Sequence, residues 1–215
     1  AAVRRAAMLS GDLGETAHLA LTAPPEALDD VGLVVGRAVQ PMLASTASSI
    51  AAAMAAVGGE AAVEYKLDGA RIQVHRRGDE VRVFTRNLAD ITHRVPEIVE
   101  AVLSLPVREV ILDGETLSLD ADGGPRPFQD TMARFGSEGA DAAAIALRPW
   151  FFDVLHVAGR DLLDEPLALR RRVLDQIAER ERQRVIRMTN KQLVEQAKKE
   201  MEQKATEVLK ERSTK

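Results

Sequence analysis

The sequence contains no cysteine, which excludes disulfide bonds and thiolate metal sites and fits a reducing compartment such as the cytoplasm. It also lacks an apolar run long enough to cross a bilayer, because the alanine-rich stretch from Ser49 to Val57 is far shorter than the roughly 20 residues required. It shows no signal-peptide pattern. We therefore expect a soluble, cytoplasmic protein with no membrane partner.

Excess positive charge is absent too, since the 215 residues carry a formal net charge of -4. A mildly negative chain is not expected to coat nucleic acid nonspecifically, although a local basic surface is compatible with this charge. The length suits one domain or one and a half, with enough residues to bury a hydrophobic core.

Lysine is almost missing from the first 190 residues, which contain twenty-one arginines and one lysine, Lys66. Arginine stays protonated, whereas a lysine amine can lose its proton and act as a nucleophile. The choice of lysine here therefore indicates a chemical role. The alternative that this short pattern leaves open is a solvent-facing lysine beside the Asp68-Gly69 turn.

Hydrophobic periodicity gives a coarse map of the chain. The predicted helices lie within residues 1–35 and at 46–57, 95–103, 128–135 and 165–182. The predicted strands are 61–67, 71–75, 81–85, 109–112, 116–119 and 149–157, and a loop is predicted at 136–144. The first three strands form an antiparallel meander with Ile72, Val74, Val81 and Val83 on its apolar face. We expect an α+β fold with antiparallel sheets and flanking helices.

The composition changes after about residue 187, where six of the seven lysines lie between Lys191 and Lys215. Apolar residues repeat at helical spacing from Val194 to Val208, which predicts an amphipathic helix. Its composition suggests a different origin, and its apolar stripe suggests self-association or the binding of a partner.

Four short motifs follow one another along the chain. They are Lys66-x-Asp68-Gly69-x-Arg71, Thr85-Arg86-Asn87, Asp113-Gly114-Glu115 and the apolar strand Phe151 to Val157. Together they resemble the motifs of ATP-dependent DNA ligases and messenger-RNA capping enzymes, which belong to the nucleotidyltransferase superfamily. The upstream Gln40-Pro41-Met42 resembles the ligase linker, which capping enzymes lack. The resemblance implies an ATP-grasp-like adenylation domain.

The resemblance assigns a role to six side chains. Lys66 would attack the α-phosphate of ATP to form lysyl-AMP, with Mg²⁺ assisting. The expected nucleotide-binding residues are Glu64 (adenine amino group), Arg71 and Arg86 (phosphates), Glu115 (ribose hydroxyls and metal) and Phe152 (stacking on the base). Several of these side chains also have a purely structural alternative. The carboxylates could be solvated, Arg86 could cover apolar surface, and Phe152 could belong to the hydrophobic core. Asp153, inside an apolar strand, must be paired if it is buried.

The resemblance also divides the chain. Residues 1–35 resemble the helical end of a DNA-binding domain, 36–60 a linker with the helix that follows, and 61–187 a partial adenylation domain. Residues 188–215 are the amphipathic tail of different composition and stand outside the resemblance. The later Glu-Gly-x-x-x-Lys element, the lysine pair and the OB-fold domain of the family are not found, so the chain resembles a fragment. Nicked double-stranded DNA is the implied partner. The alternatives are a capping-type guanylyltransferase and an inactive scaffold.

Overall fold

The computed structural model describes residues 1–64, 66–120, 124–136 and 147–180. Its helices are α1 (Ala2–Ser10), α2 (Leu13–Thr22), α3 (Ile50–Val57), α4 (Pro96–Ser104), α5 (Phe128–Gly136) and α6 over residues 167–180. Its strands are β1 (Ala70–Arg77), β2 (Glu80–Thr85), β3 (Glu109–Ser118), β4 (Leu147–Val157) and β5 (Arg160–Asp161). Short 3-10 turns lie at Pro25–Leu28 and Thr92–Arg94.

The strands form one five-stranded sheet in the order β2-β1-β3-β4-β5. Every neighbouring pair is antiparallel, so the expected α+β fold with an antiparallel sheet is confirmed. β1 and β2 form a hairpin across a turn at Gly78 and Asp79. The chain then passes through α4 before β3 pairs with the other side of β1.

One face of the sheet carries the main hydrophobic core. The four residues expected on the apolar face of the meander are all buried, and α4 packs against them through Ile98 and Val102. Full burial of each such side chain contributes about 1.5–3 kcal/mol. Farther along the same sheet, α6 covers β3 and β4 through Leu174 and Ile177. These contacts fix the helices relative to the strands that carry the site.

The buried guanidinium of Arg76 explains how α4 ends. Its Nη1 atom donates to the carbonyl oxygens of Val102 and Leu105, at 2.8 and 2.9 Å. The last carbonyl groups of a helix have no hydrogen-bond partner within the helix, and a cation placed there can donate to them. Its charge also interacts favourably with the negative end of the helix dipole.

The other side of β1 is covered by the segment that crosses between the N-terminal helices and the sheet. Every second side chain of β1 forms a hydrogen bond with the backbone of this crossing segment. The contacts are Arg77 Nη2 to the Val35 carbonyl (2.8 Å), the Gly36 N–H to His75 Nδ1 (3.0 Å), the Val39 N–H to Gln73 Oε1 (2.7 Å) and Arg71 Nη1 to the Met42 carbonyl (3.1 Å). Because strand residues alternate between faces, one row of β1 binds this crossing segment while the other row fills the core.

Two strand predictions are wrong. Residues 61–67 contain no strand in their described part, and Val63 is 93% exposed. β1 already has β2 and β3 as its two neighbours, so the preceding segment has no place beside it. The separate strands predicted at 109–112 and 116–119 are one continuous strand, β3, and Asp113-Gly114-Glu115 lies inside it.

A close approach of two backbones explains why a glycine stands in the middle of β3. A Cβ atom on Gly114 would lie 2.6 Å from the Trp150 carbonyl oxygen of β4. The glycine therefore permits strand pairing here and does not signal a turn.

Most of the predicted loop at 136–144 and all of the predicted tail helix at 188–215 lie outside the described residues. Within the described ranges, every helix is too short or too polar to span a bilayer.

Candidate active site

A cleft of about 1000 Å³ opens at the edge of the sheet where β1 begins and β2 ends. Seven segments supply its walls: the stretch before β1, β1 itself, the end of β2 with the loop after it, β3, α5, β4 and α6. All six side chains singled out from the sequence line it, namely Glu64, Lys66, Arg71, Arg86, Glu115 and Phe152. The fold thus brings together residues that are far apart in the chain.

Lys66 lies at the open rim of the cleft. Its side chain is 88% exposed, and its Nζ atom lies 3.9 Å from Oδ1 of Asp68. An ion pair this exposed contributes little energy. The amine is therefore accessible to a molecule that enters the cleft.

Gly69 holds the Lys66 segment against the sheet by its lack of a side chain. A Cβ atom there would lie 2.3 Å from the Thr116 carbonyl oxygen of β3 and 3.0 Å from the Glu115 side chain. Glu115 in turn accepts a hydrogen bond from the Gly69 backbone. The glycine of the Lys-x-Asp-Gly-x-Arg pattern is therefore required by a close backbone contact.

Arg71 has partners of its own within the protein. Its Nε and Nη2 atoms donate to the two carboxylate oxygens of Asp113, at 3.0 and 2.6 Å, and Nη1 donates to Met42. The hydrogen bond to Asp113 raises the pKa of Arg71, against the opposing effect of burial. The guanidinium carbon also lies 5.8 Å from the centre of the Phe152 ring, within the range of a cation–π contact.

Arg86 differs from Arg71 in this respect. It is exposed in the loop after β2 and forms no hydrogen bond or ion pair with the described residues. Arg86 is therefore the cleft arginine whose donors are available to an anionic ligand.

Glu115 projects from β3 beside Arg71, its direct cross-strand neighbour. Burial raises the pKa of its carboxyl group, while the Gly69 N–H, Lys66 and Arg71 oppose that shift. A carboxylate that combines partial burial with positive neighbours is a common feature of functional sites. In the described part of the chain, no group of three or more His, Asp or Glu residues is arranged to hold a metal ion by itself.

Phe152 occupies an irregular position in β4. In the register with β3, Asp113 pairs with Asp153 and Gly114 pairs with Phe151, so Phe152 is an extra residue without a partner. Such bulges redirect side chains. The ring is half-buried and lines the cleft, in contrast to the fully buried core position that a phenylalanine in an apolar strand usually has.

Asp153 is paired, as expected from its place in an apolar strand. Nε and Nη2 of Arg170 donate to its two carboxylate oxygens at 2.8 and 3.0 Å. This two-point pair attaches α6 to β4.

Several cleft residues were not predicted as site residues. They include Leu43, Phe128, Met132, Trp150 and Arg171. Phe128 and Met132 share one side of α5 at helical spacing, which was a usable signal. Arg171 belongs to the run Arg170 to Arg172, in which the sequence does not distinguish the arginine that faces the cleft.

Comparison with known proteins identifies the family of the chain. The family model of the ATP dependent DNA ligase domain matches residues 41–213, so the chain belongs to the ATP-dependent DNA ligase family. A probable DNA ligase of Pseudarthrobacter chlorophenolicus is 66% identical over 177 residues, covering 82% of this chain and 34% of that protein. A probable DNA ligase of Beutenbergia cavernae is 58% identical over 185 residues, covering 82% of this chain and 36% of that protein.

Among solved structures, a mycobacterial DNA ligase D complexed with ATP and MES is 30% identical, with a TM-score of 0.43, covering 54% of this chain and 36% of that one. The chain spans about a third of the length of the curated relatives named above.

Proposed function

We propose that this chain is the nucleotidyl-transfer part of an ATP-dependent DNA ligase and that Lys66 is its nucleophile. The observation that carries the proposal is the convergence on one cleft of six side chains that come from four separate parts of the sequence. Membership of the ligase family adds the chemistry that such a cleft serves.

In the proposed step, the unprotonated Lys66 nitrogen attacks the α-phosphorus of ATP. A nitrogen–phosphorus bond forms, the bond to the departing pyrophosphate breaks, and the amine loses a proton. The position of Lys66 at the open rim supports this role, because the nitrogen must meet a phosphate in line with the leaving group. In a complete ligase, AMP would then pass to the 5'-phosphate of nicked DNA, and the 3'-hydroxyl would seal the strand.

The other cleft residues would hold the nucleotide. Phe152 offers a half-buried ring face to the base, Glu64 a carboxylate to the adenine amino group, and Glu115 a carboxylate to the ribose hydroxyls. Arg86, which has free donors, would bind the phosphates. Arg71 is better suited to supporting this pocket than to binding phosphate directly, because three of its five N–H donors already bind Asp113 and Met42.

Magnesium fits this donor set in a limited way. Mg²⁺ in phosphoryl-transfer sites is usually held by one or two carboxylates together with substrate phosphates. The Glu115 carboxylate in the cleft can supply the protein ligand, and the bound ion would offset negative charge on the phosphates. The protein residues would bind and orient the nucleotide around it.

Nicked double-stranded DNA is the proposed partner, by analogy with relatives that are named probable DNA ligases. We also propose a cytoplasmic location, on the basis of the cysteine-free composition. The family and the relatives of the chain do not favour a capping enzyme. A capping enzyme would use GTP, so a comparison of GTP with ATP tests this alternative.

Incubation with α-labelled ATP and magnesium, followed by denaturing electrophoresis, tests the proposal. The wild type should acquire acid-labile label, whereas Lys66→Ala and Lys66→Arg should acquire none, because neither side chain offers a nucleophilic amine. Lys191→Ala is the matched control and should be labelled like the wild type. Chelation of magnesium should abolish the label. Label that persists in Lys66→Arg, or a preference for GTP, would contradict the proposal.

A further inference from the structure

Arg171 on α6 contacts two walls of the cleft with one nitrogen. Its Nη1 atom donates to Oε1 of Glu64 at 2.9 Å and to the Phe152 carbonyl oxygen at 3.0 Å. Glu64 precedes Lys66 by two residues, and Phe152 lies on β4. A single guanidinium therefore connects the segment of the nucleophile with the strand of the proposed base platform.

The segment before β1 has few other attachments. α3 contains no buried residue, and Ile50 is 85% exposed. Within the described residues, the Glu64–Arg171 contact is the one hydrogen bond or ion pair that joins residues 43–68 to the rest of the chain. The position of Lys66 therefore depends on this contact and on the close packing of Gly69.

The two neighbouring arginines on α6 do not share this role. Arg170 is directed inward and pairs with Asp153. Arg172 is exposed, with no hydrogen bond or ion pair to the described residues. Successive residues of a helix point about 100° apart, so Arg171 alone of these three reaches Glu64. Arg172 is thus a matched control of the same residue type at the adjacent position.

We propose that Arg171 is a positioning residue that clasps the Lys66 segment to β4 at Phe152. This clasp holds Glu64 and Phe152 at the separation that lets both contact the same purine ring. The clasp is a property of the folded chain and needs no nucleotide. Its consequence for purine selection rests on the function proposed above.

The scarcity of lysine provides a direct test of the clasp. Lys66 is the only lysine among residues 1–190, so a lysine-specific endoprotease cuts this region at one bond and reports the mobility of the nucleophile segment. For Arg171→Ala we expect cleavage about threefold faster than in the wild type, in line with the loss of a partly exposed ion pair. Each rate is divided by that of the same variant in urea, which removes intrinsic sequence preference.

Arg172→Ala should be cleaved at the wild-type rate. Glu64→Ala should be cleaved as fast as Arg171→Ala, and the double variant should be no faster than either, because both changes break the same contact. Equal rates for wild type and Arg171→Ala, or equal acceleration by Arg172→Ala, would overturn the proposal. Since Glu64 is exposed, its variant keeps the test valid even if Arg171→Ala folds poorly.

Nucleotide kinetics supply a second readout. With α-labelled ATP, Arg171→Ala should raise KM about tenfold while kcat changes less than about twofold, because the variant loses the contact that places Glu64 and Phe152, whereas Gly69 still packs the Lys66 segment against β3. The preference for ATP over GTP should fall, and Arg171→Lys should restore part of it. An unchanged KM and purine preference would refute the role in purine selection. A wild type that takes no label would instead refute the proposed function, and the cleavage assay would still decide whether the clasp exists.

Discussion

Arg71 of β1 and Asp113 of β3 form a two-point ion pair across neighbouring strands, with nitrogen–oxygen distances of 3.0 and 2.6 Å. The same guanidinium lies near the Phe152 ring and holds the Met42 carbonyl of the crossing segment. This pair therefore connects the N-terminal crossing segment, two strands and the proposed base platform. The arginine of the Lys-x-Asp-Gly-x-Arg motif thus has a structural use in the protein.

Asp113→Ala should destabilise the fold by about 2 kcal/mol, because it leaves a half-buried guanidinium without its counterion. The free energy of unfolding, measured with denaturant, checks this value. Asp164→Ala is the control, since Asp164 pairs with Arg5 at an exposed site and should cost at most about 0.5 kcal/mol. Equal losses in the two variants would contradict the structural role of the Arg71–Asp113 pair.

Gly69→Ala should destabilise the fold by about 2 kcal/mol or more, because the new methyl group would lie 2.3 Å from a backbone oxygen of β3. Labelling of Lys66 should also fall, since the segment must move away from Glu115. Gly32 has no atom within 4 Å of its ideal Cβ position, so Gly32→Ala should change stability by less than about 0.5 kcal/mol. Thermal unfolding of both variants measures the contrast, and a neutral Gly69→Ala would count against the close packing.

Stability should depend on pH through His75. Burial, together with the positive charges of His156 and Arg82, lowers the pKa of His75 from 6.5 to about 4. Its Nδ1 atom accepts the Gly36 N–H, which a protonated ring cannot do. Because the folded pKa is the lower one, the stabilisation is complete above pH 6.5 and is lost as the pH falls toward about 4.

The expected loss over that interval is about 2–3 kcal/mol from this residue. The free energy of unfolding, measured with denaturant between pH 7 and 4, should therefore depend less steeply on pH for His75→Gln than for the wild type. His18→Gln, a change at an exposed helical position, serves as the control and should keep the wild-type slope. Parallel curves for the wild type and His75→Gln would exclude this effect.

Glu115→Gln should reduce labelling by about tenfold, because the amide lacks the charge that strengthens hydrogen bonds to ribose hydroxyls and attracts the metal. Burial raises the pKa of the Glu115 carboxyl above 4.5, so the wild type should lose activity on acidification at a higher pH than an ordinary carboxylate would cause. The labelling rate against pH checks this, and the variant should lack that acidic limb. Its stability should match the wild type, since the amide oxygen can still accept from Gly69.

The helix and strand pattern was largely predictable where the sequence periodicity matched burial. α4 and the β1–β2 hairpin follow the predicted positions because their apolar residues repeat with the period of the element. The strand predicted at 61–67 failed because periodicity in the sequence does not supply a neighbouring strand to pair with. Gly114 led to the wrong prediction of two separate strands at 109–112 and 116–119. A glycine in a sequence does not distinguish a turn from a close contact between two strands.

By itself, the sequence determined the α+β class, the family and the six residues proposed to hold a nucleotide, because residue chemistry and motif order are local properties of the chain. Only the tertiary structure decided that these residues line one cleft, that Arg71 is occupied by Asp113, and that Arg171 reaches Glu64. Those relationships depend on strand register, on the bulge at Phe152 and on the rotation of α6, and all three are fixed by packing between segments that are distant in sequence.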